Sequence, residues 1–371
     1  MIKKTNLDLP FLLKFTLVII GLIGLGYLLF IGKAIIIPLM FALLFAILVN
    51  PAVNFLTKHK INRIVAIALM IFAAILVFSG IVVFFSSQVA MFKESFPAMQ
   101  DKFTMIYQDA LQWLSQKLSL RESELTAWID DSKAKLMDGS GSMVGQVFVS
   151  VGGLMAVVFL LPVYIFMILY YKPLFLEFIA RLFDDSKKEV VGEVLKDTKL
   201  LVQNYLVGLM IELVIMAAMD TTVLLILGIK YALLLGVLAA MLNLIPYIGG
   251  IVAISLPMLI AAATKSPIYI LWVFIGYMIV QFIDNNVIMP KVVGSRVKIN
   301  ALAAVLAVLV GGSIWGVPGM FLALPVTAIL KIIFDRIQPL EPWGFLLGDT
   351  MPSVGGMLLK SRKSRKKADA E

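Results

Sequence analysis

The chain has 371 residues, of which 61% are hydrophobic and 15% charged, with a formal charge of +9 and a mean hydropathy of +0.99. A soluble domain is about half apolar, so this composition excludes an ordinary water-soluble fold; it points to an all-α polytopic membrane protein with room for about six to eight crossings. The absence of cysteine excludes disulfides and thiolate metal sites, and the single His59, between Lys58 and Lys60, reads as a solvated histidine at a span end.

Lys3 and Lys4 precede the first apolar run, 11–31, which carries no small-residue cleavage site and is expected to be a retained span. Further runs at 34–56, 64–85, 147–171, 205–227 and 268–283 are each suited to one crossing, because a helix satisfies its own backbone hydrogen bonds in lipid. Residues 86–145 form the one long hydrophilic segment, expected outside the membrane. There Phe96, Met99, Phe103, Ile106, Ala110 and Trp113 recur at alternating threes and fours, predicting an amphipathic helix. Leu125, Trp128, Ile129 and Leu136 predict a second. Between 173 and 203, Leu176, Ile179, Leu182 and Phe183, then Val190, Val191, Val194 and Leu195, predict amphipathic stretches along the inner surface.

Two runs, 231–263 and 301–333, are too long for one crossing and are broken near the middle. The first break is Pro246-Tyr-Ile-Gly249-Gly250, and the second runs from Gly311 through Pro318 to Gly319. Each half is about 15 residues, roughly 22 Å of helix, which is short of a span and fits a hairpin. The excess of Lys and Arg on cytoplasmic loops discriminates between the alternatives. Lys58, Lys60 and Arg63, the connection after Tyr171, and Lys291, Arg296 and Lys298 all fall inside if 231–263 is a hairpin. The basic tail from Lys360 then also falls inside if 301–333 is one. The expected architecture is six full spans plus two broken hairpins entering from opposite faces. Its regions are 1–85, three spans; 86–145, the external helical insertion; 146–204, the fourth span and an amphipathic connection; 205–335, the transport core; and 336–371, a basic cytoplasmic tail.

Carboxylates inside spans are costly and mark ion or substrate pathways by default. Glu212 and Asp220 lie eight residues apart, offset by about 80° around a helix, so they share one broad face. Asp284 follows the 268–283 run and is itself followed by Asn285 and Asn286; an interfacial carboxylate is the alternative reading there. Asn50, Asn243 and Gln281 are amides near breaks or span ends. Such groups bind neutral polyols or join helices, and the first role is favoured where they meet broken backbone, at Asn243 and from Gln281 to Asn286. The candidate pathway is therefore Glu212, Asp220, Asn243, Pro246, Gly249, Gly250, Gln281, Asp284, Asn285, Asn286, Pro290 and Gly319.

These same residues carry a family resemblance. Asn50-Pro51 with Leu56 and Arg63, Tyr205-Leu-Val-Gly208, Ile245-Pro246-Tyr-Ile-Gly249-Gly250, Gln281 through Pro290 with Gly294, and Gly311-Gly312 through Gly319 with Leu324-Pro325 resemble the autoinducer-2 exporter (AI-2E) family over about residues 10–335. Family members commonly carry Glu where this chain has Asp284, which keeps the charge and shortens the reach. The resemblance implies a multi-pass permease of the bacterial inner membrane, homo-oligomeric, exporting a small polar solute such as the quorum-sensing signal autoinducer-2 or exchanging Na+ or Li+ for H+. A membrane scaffold acting through the external helices is a further reading. No Gly-x-x-x-x-Gly-Lys-Ser/Thr, HExxH or GxGD motif and no Ser/His pair occurs. No ATP coupling, catalytic residue, metal or cofactor is therefore expected. The basic tail fits anionic lipid headgroups rather than nucleic acid.

Overall fold

The computed structural model describes residues 10–88, 160–245, 249–294 and 298–351. Pro246, nearly all of the expected insertion at 86–145 and the tail from Lys360 lie outside the described residues. Every regular element among the described residues is helical, and the protein is an all-α polytopic membrane protein. The helices are α1 (Phe11–Ile31), α2 (Lys33–Lys58), α3 (Arg63–Gln88), α4 (Leu160–Tyr170), α5 (Lys172–Leu182), α6 (Lys188–Ile226), α7 (Ala232–Asn243), α8 (Gly249–Thr264), α9 (Ile268–Ile283), α10 (Ala301–Trp315), α11 (Val317–Arg336) and α12 (Glu341–Leu347). Six are long and apolar enough to cross a membrane: α1, α2, α3, α6, α9 with its extension to Val292, and α11.

Five of these six are expected crossings, and the sixth is α11. The fourth run, 147–171, is described only from Leu160, and α4 turns by 60° into α5. Meanwhile α11, expected as half of a hairpin, has 20 residues and reaches crossing length by itself. A second correction concerns the connection before α6. The stretch Val190 to Leu195 does not lie along the surface, because it belongs to one uninterrupted helix of 39 residues, about 58 Å long. No proline interrupts residues 188–226, and Arg336 at the end of α11 pairs with both Glu193 and, at 3.0 Å, Asp197. These pairs hold the first turns of α6 in line with its span.

Both broken runs fold back on themselves as helix–turn–helix pairs, α7 with α8 and α10 with α11. α7 and α8 have 12 and 16 residues, about 18 and 24 Å, too short to cross. Their outer ends share one side: a Cβ at Gly228, just before α7, would lie 3.1 Å from Nζ of Lys265, just after α8. The second hairpin turns on Gly316 alone, at φ 64° and ψ −142°, a conformation that a side chain would strain. Above that turn the two helices touch backbone to backbone, since a Cβ on either Gly311 or Gly319 would overlap the other's carbonyl oxygen. At the base, Asn300 caps α10 by accepting from the Ala303 N–H (2.9 Å) and donates to the carbonyls of Leu346 (2.7 Å) and Gly348 (3.0 Å). That ties α12 across the hairpin's open end.

α6 is the axis of the assembly. The first hairpin enters from its Gly228 end, and the second is anchored by Arg336 at its Glu193 end, so the two approach from opposite ends. Leu224, Leu235, Ile260 and Val273 form one apolar core between α6 and the first hairpin with α9. Leu44, Tyr205, Leu206 and Leu322 form another between α2, α6 and α11, and Leu244 from the tip of the first hairpin packs into it. Apolar burial of this kind contributes roughly 25 cal/mol per Å² in water. In lipid the same contacts act mainly by close packing, which explains the glycines at the helix crossings.

Candidate functional site

α6 and α9 run antiparallel, as two contacts show. A Cβ at Gly276 would strike the Val223 side chain, and Met216 packs with Val280 and Ile288. This register carries Asp284 back toward Glu212. α9 does not stop at Ile283; it continues as π-helical turns over Asp284–Ile288 and Pro290–Gly294, with the Met289 N–H donating to the Asp284 carbonyl. Pro290 has no N–H to offer an α-helical ladder, and the wider turn rotates residues beyond 283 relative to the face above.

The consequence is that Asp284 is buried, at 1% exposure, within the helix rather than at its end. Its Oδ2 accepts from Asn243 Nδ2 at 3.2 Å and from Gln281 Nε2 at 3.4 Å, and Gln281 also donates to Asn285 Oδ1 at 3.4 Å. These are long bonds, which gather the groups without locking them. Gly250 opens the same space, since a Cβ there would lie 3.1 Å from Gln281 Oε1 and 3.6 Å from Asn243 Oδ1. Gly249 closes the hairpin tip: a Cβ would overlap the carbonyl oxygen of Leu242, so only glycine lets α8 start against the end of α7.

Glu212 and Asp220, 5% and 2% exposed, extend this layer along α6. Asp284 is near enough for its charge to act on both, Glu212 acts on Tyr205, and Asp220 on Tyr277. Eight residues on one helix put Asp220 about 12 Å beyond Glu212, at the level where Gly236 of α7 lets Thr221 press against its backbone. Glu212 Oε2, Asp220 Oδ1, Thr221 Oγ1, Tyr277 OH and Asp284 Oδ1 are buried and have no hydrogen-bond partner. Unpaired oxygens in a low-dielectric interior are costly, and more than one negative charge among them demands a compensating proton or cation. Among the described residues no group of three or more carboxylates or imidazoles stands close enough to hold a metal ion, so the carboxylates form a column rather than a cage.

The structure thus brings together Glu212, Asp220, Asn243, Gly250, Gln281, Asp284 and Asn285, with Gly249 shaping the tip. It does not bring in the others. Asn286 is exposed and donates to its own helix at Phe282 O (2.8 Å). Pro290 is exposed and acts on the backbone alone. Gly319 is buried against Gly311 and Trp315 of its own hairpin, so its role is packing. Asn50 serves elsewhere, accepting from Lys172 Nζ at 3.1 Å. Sequence reasoning passed over Thr221 and Tyr277, whose hydroxyls sit in apolar runs; the hints of close approach were Gly236, which faces Thr221 from α7, and Gly276, beside Tyr277 on α9, which faces Val223 of α6.

A carboxylate column along a continuous helix, met by the tip of a broken hairpin, defines a multi-pass membrane protein of the transporter, or permease, class. The model of the AI-2E family transporter matches residues 15–338. The chain belongs to that family. Similar proteins include the provisionally named transport protein YueF of Bacillus subtilis, 27% identical over 81% of this chain and 83% of the relative. The AI-2 transport protein TqsA of Escherichia coli is 23% identical over 85% of this chain and 90% of its own length. A shorter match, to the provisionally named transport protein YrrI of Bacillus subtilis, is 39% identical over 106 residues, 29% of this chain and 30% of that protein.

Proposed function

We propose that the chain is a secondary transporter of the bacterial inner membrane that exports a small, neutral, polar solute, autoinducer-2 being the leading candidate. The observation that carries the reading is the amide and carboxylate layer at the hairpin tip, Asn243, Gln281 and Asp284, opened by Gly250. Amides that both donate and accept suit a polyol, and Asp284 Oδ1, left without a partner, is free to take the coupling proton. TqsA supports the choice of solute, because its name gives AI-2 as what it transports. With Lys58 and Lys298 at the cytoplasmic side, the first hairpin enters from outside and both termini lie inside. The test is efflux of the signal from proteoliposomes of purified protein. Flux that requires both the protein and a proton gradient supports the reading, and flux equal to protein-free vesicles rejects it.

A second reading, exchange of Na+ or Li+ for H+, is favoured by the outer part of the column, where Asp220 Oδ1, Thr221 Oγ1 and Tyr277 OH are all unpartnered. Oxygen donors, a carboxylate among them, suit a hard cation. Salt tolerance in an antiporter-deficient strain separates the two readings. Rescue that is lost in both Glu212→Gln and Asp284→Asn favours exchange, and rescue that survives both argues against it.

A further inference from the structure

At the end of the membrane region away from Lys230, two helices begin side by side, each with a cation as its first residue. α3 starts at Arg63 and α5 at Lys172. A helix N-terminus already carries partial positive charge and free N–H groups, so a cation there is unfavourable and an anion favourable. No side chain caps the start of α5. The two are drawn together by neutral partners only: Arg63 Nη2 donates to the Leu169 carbonyl at 2.7 Å, and Lys172 Nζ donates to Asn50 Oδ1 at 3.1 Å. Lys199 of α6 stands close enough for its charge to act on Lys172. Among the described residues the ion pairs lie elsewhere, and none reaches Arg63, Lys172 or Lys199.

Three cations therefore converge without an opposing charge at two helix N-termini, of which α3 is capped by Asn62, whose Oδ1 accepts from the Ile64 N–H at 2.9 Å, and α5 is uncapped. Burial, then repulsion from Lys199 and Arg63, lowers the Lys172 ammonium below the ordinary lysine range. A group on which the cluster imposes that cost is one that an incoming anion relieves.

We infer that Arg63, Lys172 and Lys199 form a site for a phosphate carried on the headgroup of an anionic phospholipid. The lipid source follows from the surroundings. Tyr170, Tyr171, Leu174, Phe175 and Phe178 are exposed apolar side chains directly beside the cluster, on the end of α4 and on α5. α5 leaves α4 at 60°, so it runs across the end of that span rather than along it. An acyl chain lies against those side chains while the headgroup reaches the cations. The bound phosphate then neutralises the point where α2, α3, α5 and α6 meet, making this junction sensitive to lipid composition.

The experiment uses the full-length purified protein in detergent, titrated with phosphatidylglycerol, phosphatidylcholine or inorganic phosphate, with native mass spectrometry and thermal denaturation as readouts. Phosphatidylglycerol is expected to remain bound and raise the melting temperature, while the other two do neither. Lys199→Gln is the decisive variant because Lys199 makes no hydrogen bond among the described residues, so its loss removes charge without removing a strut. It should weaken phosphatidylglycerol binding about fivefold. Lys172→Gln should do at least as much, and Lys187→Gln, on a separate exposed turn, should change it less than about twofold. Wild-type phosphatidylglycerol affinity in both Lys199→Gln and Lys172→Gln overturns the site. Equal stabilisation by inorganic phosphate overturns the headgroup assignment in favour of a soluble anion.

Discussion

Replacing Gly249 by alanine puts one methyl group at the tip of the first hairpin, where the structure has no room for it. The new carbon would overlap the Leu242 carbonyl oxygen, stand 2.6 Å from the carbonyl carbon and lie 2.9 Å from the Asn243 Cα. Ordinary carbon contacts lie near 3.5–4.0 Å, so α8 must withdraw from α7 by about 1 Å, and because every clashing atom is backbone, no rotamer relieves it. Asn243 ends α7, so whatever part of that shift α7 takes up carries its 3.2 Å bond to Asp284 past the hydrogen-bonding limit. Overpacking costs about 1–3 kcal/mol and the lost bond about 1 kcal/mol more. Gly250→Ala is the matched comparison: its methyl meets the movable Gln281 Oε1 at 3.1 Å and should cost less than about 1 kcal/mol. In proteoliposome flux, read beside thermal denaturation in detergent, Gly249→Ala should lose about tenfold or more and Gly250→Ala less than about threefold. Wild-type flux and stability in Gly249→Ala, or a larger loss in Gly250→Ala, would refute the tip geometry.

Gly319→Ala should separate α10 from α11 at Gly311 and cost about 1–3 kcal/mol of thermal stability, whereas a stability equal to wild type would mean that the helices do not touch there. Arg336→Gln removes two partly exposed ion pairs, to Glu193 and Asp197; the loss should be at most about 1 kcal/mol and should fade in high salt, and a larger, salt-independent loss would contradict a surface latch. In intact cells, single cysteines at Lys230 and Lys265 should react with an impermeant maleimide while one at Lys298 stays protected; labelling at Lys298 from outside would exclude the hairpin topology.

Much of this architecture is legible in the sequence because lipid leaves a chain few choices. Glycine and proline inside long apolar runs marked both hairpins, and a carboxylate in such a run had to be buried for a reason, as Glu212 and Asp220 are. Asp284 was harder. Apolar periodicity ends at Ile283, which suggested headgroup depth, but π-helical turns carry the helix on to Gly294 and bury the carboxylate. Nothing local signals that widening except Pro290. The charges around Lys187 and Lys188 likewise suggested a surface segment, although the absence of a breaker from 188 onward already allowed the continuous α6 that forms. Thr221 and Tyr277 were invisible for another reason: their hydroxyls acquire meaning only when α6, α7 and α9 are set against one another at Gly236 and Gly276.

Transport on this reading runs on a proton or cation carried by Asp284, and Asp284→Asn addresses that role directly. The amide is nearly isosteric and keeps an acceptor for Asn243 and Gln281, whose bonds at 3.2 and 3.4 Å are weak, so stability should change by less than about 1 kcal/mol. Measured in proteoliposomes under an imposed proton gradient, flux through this variant should fall to that of protein-free vesicles while the protein remains folded. Gradient-driven flux at the wild-type rate in a folded Asp284→Asn protein would contradict the claim.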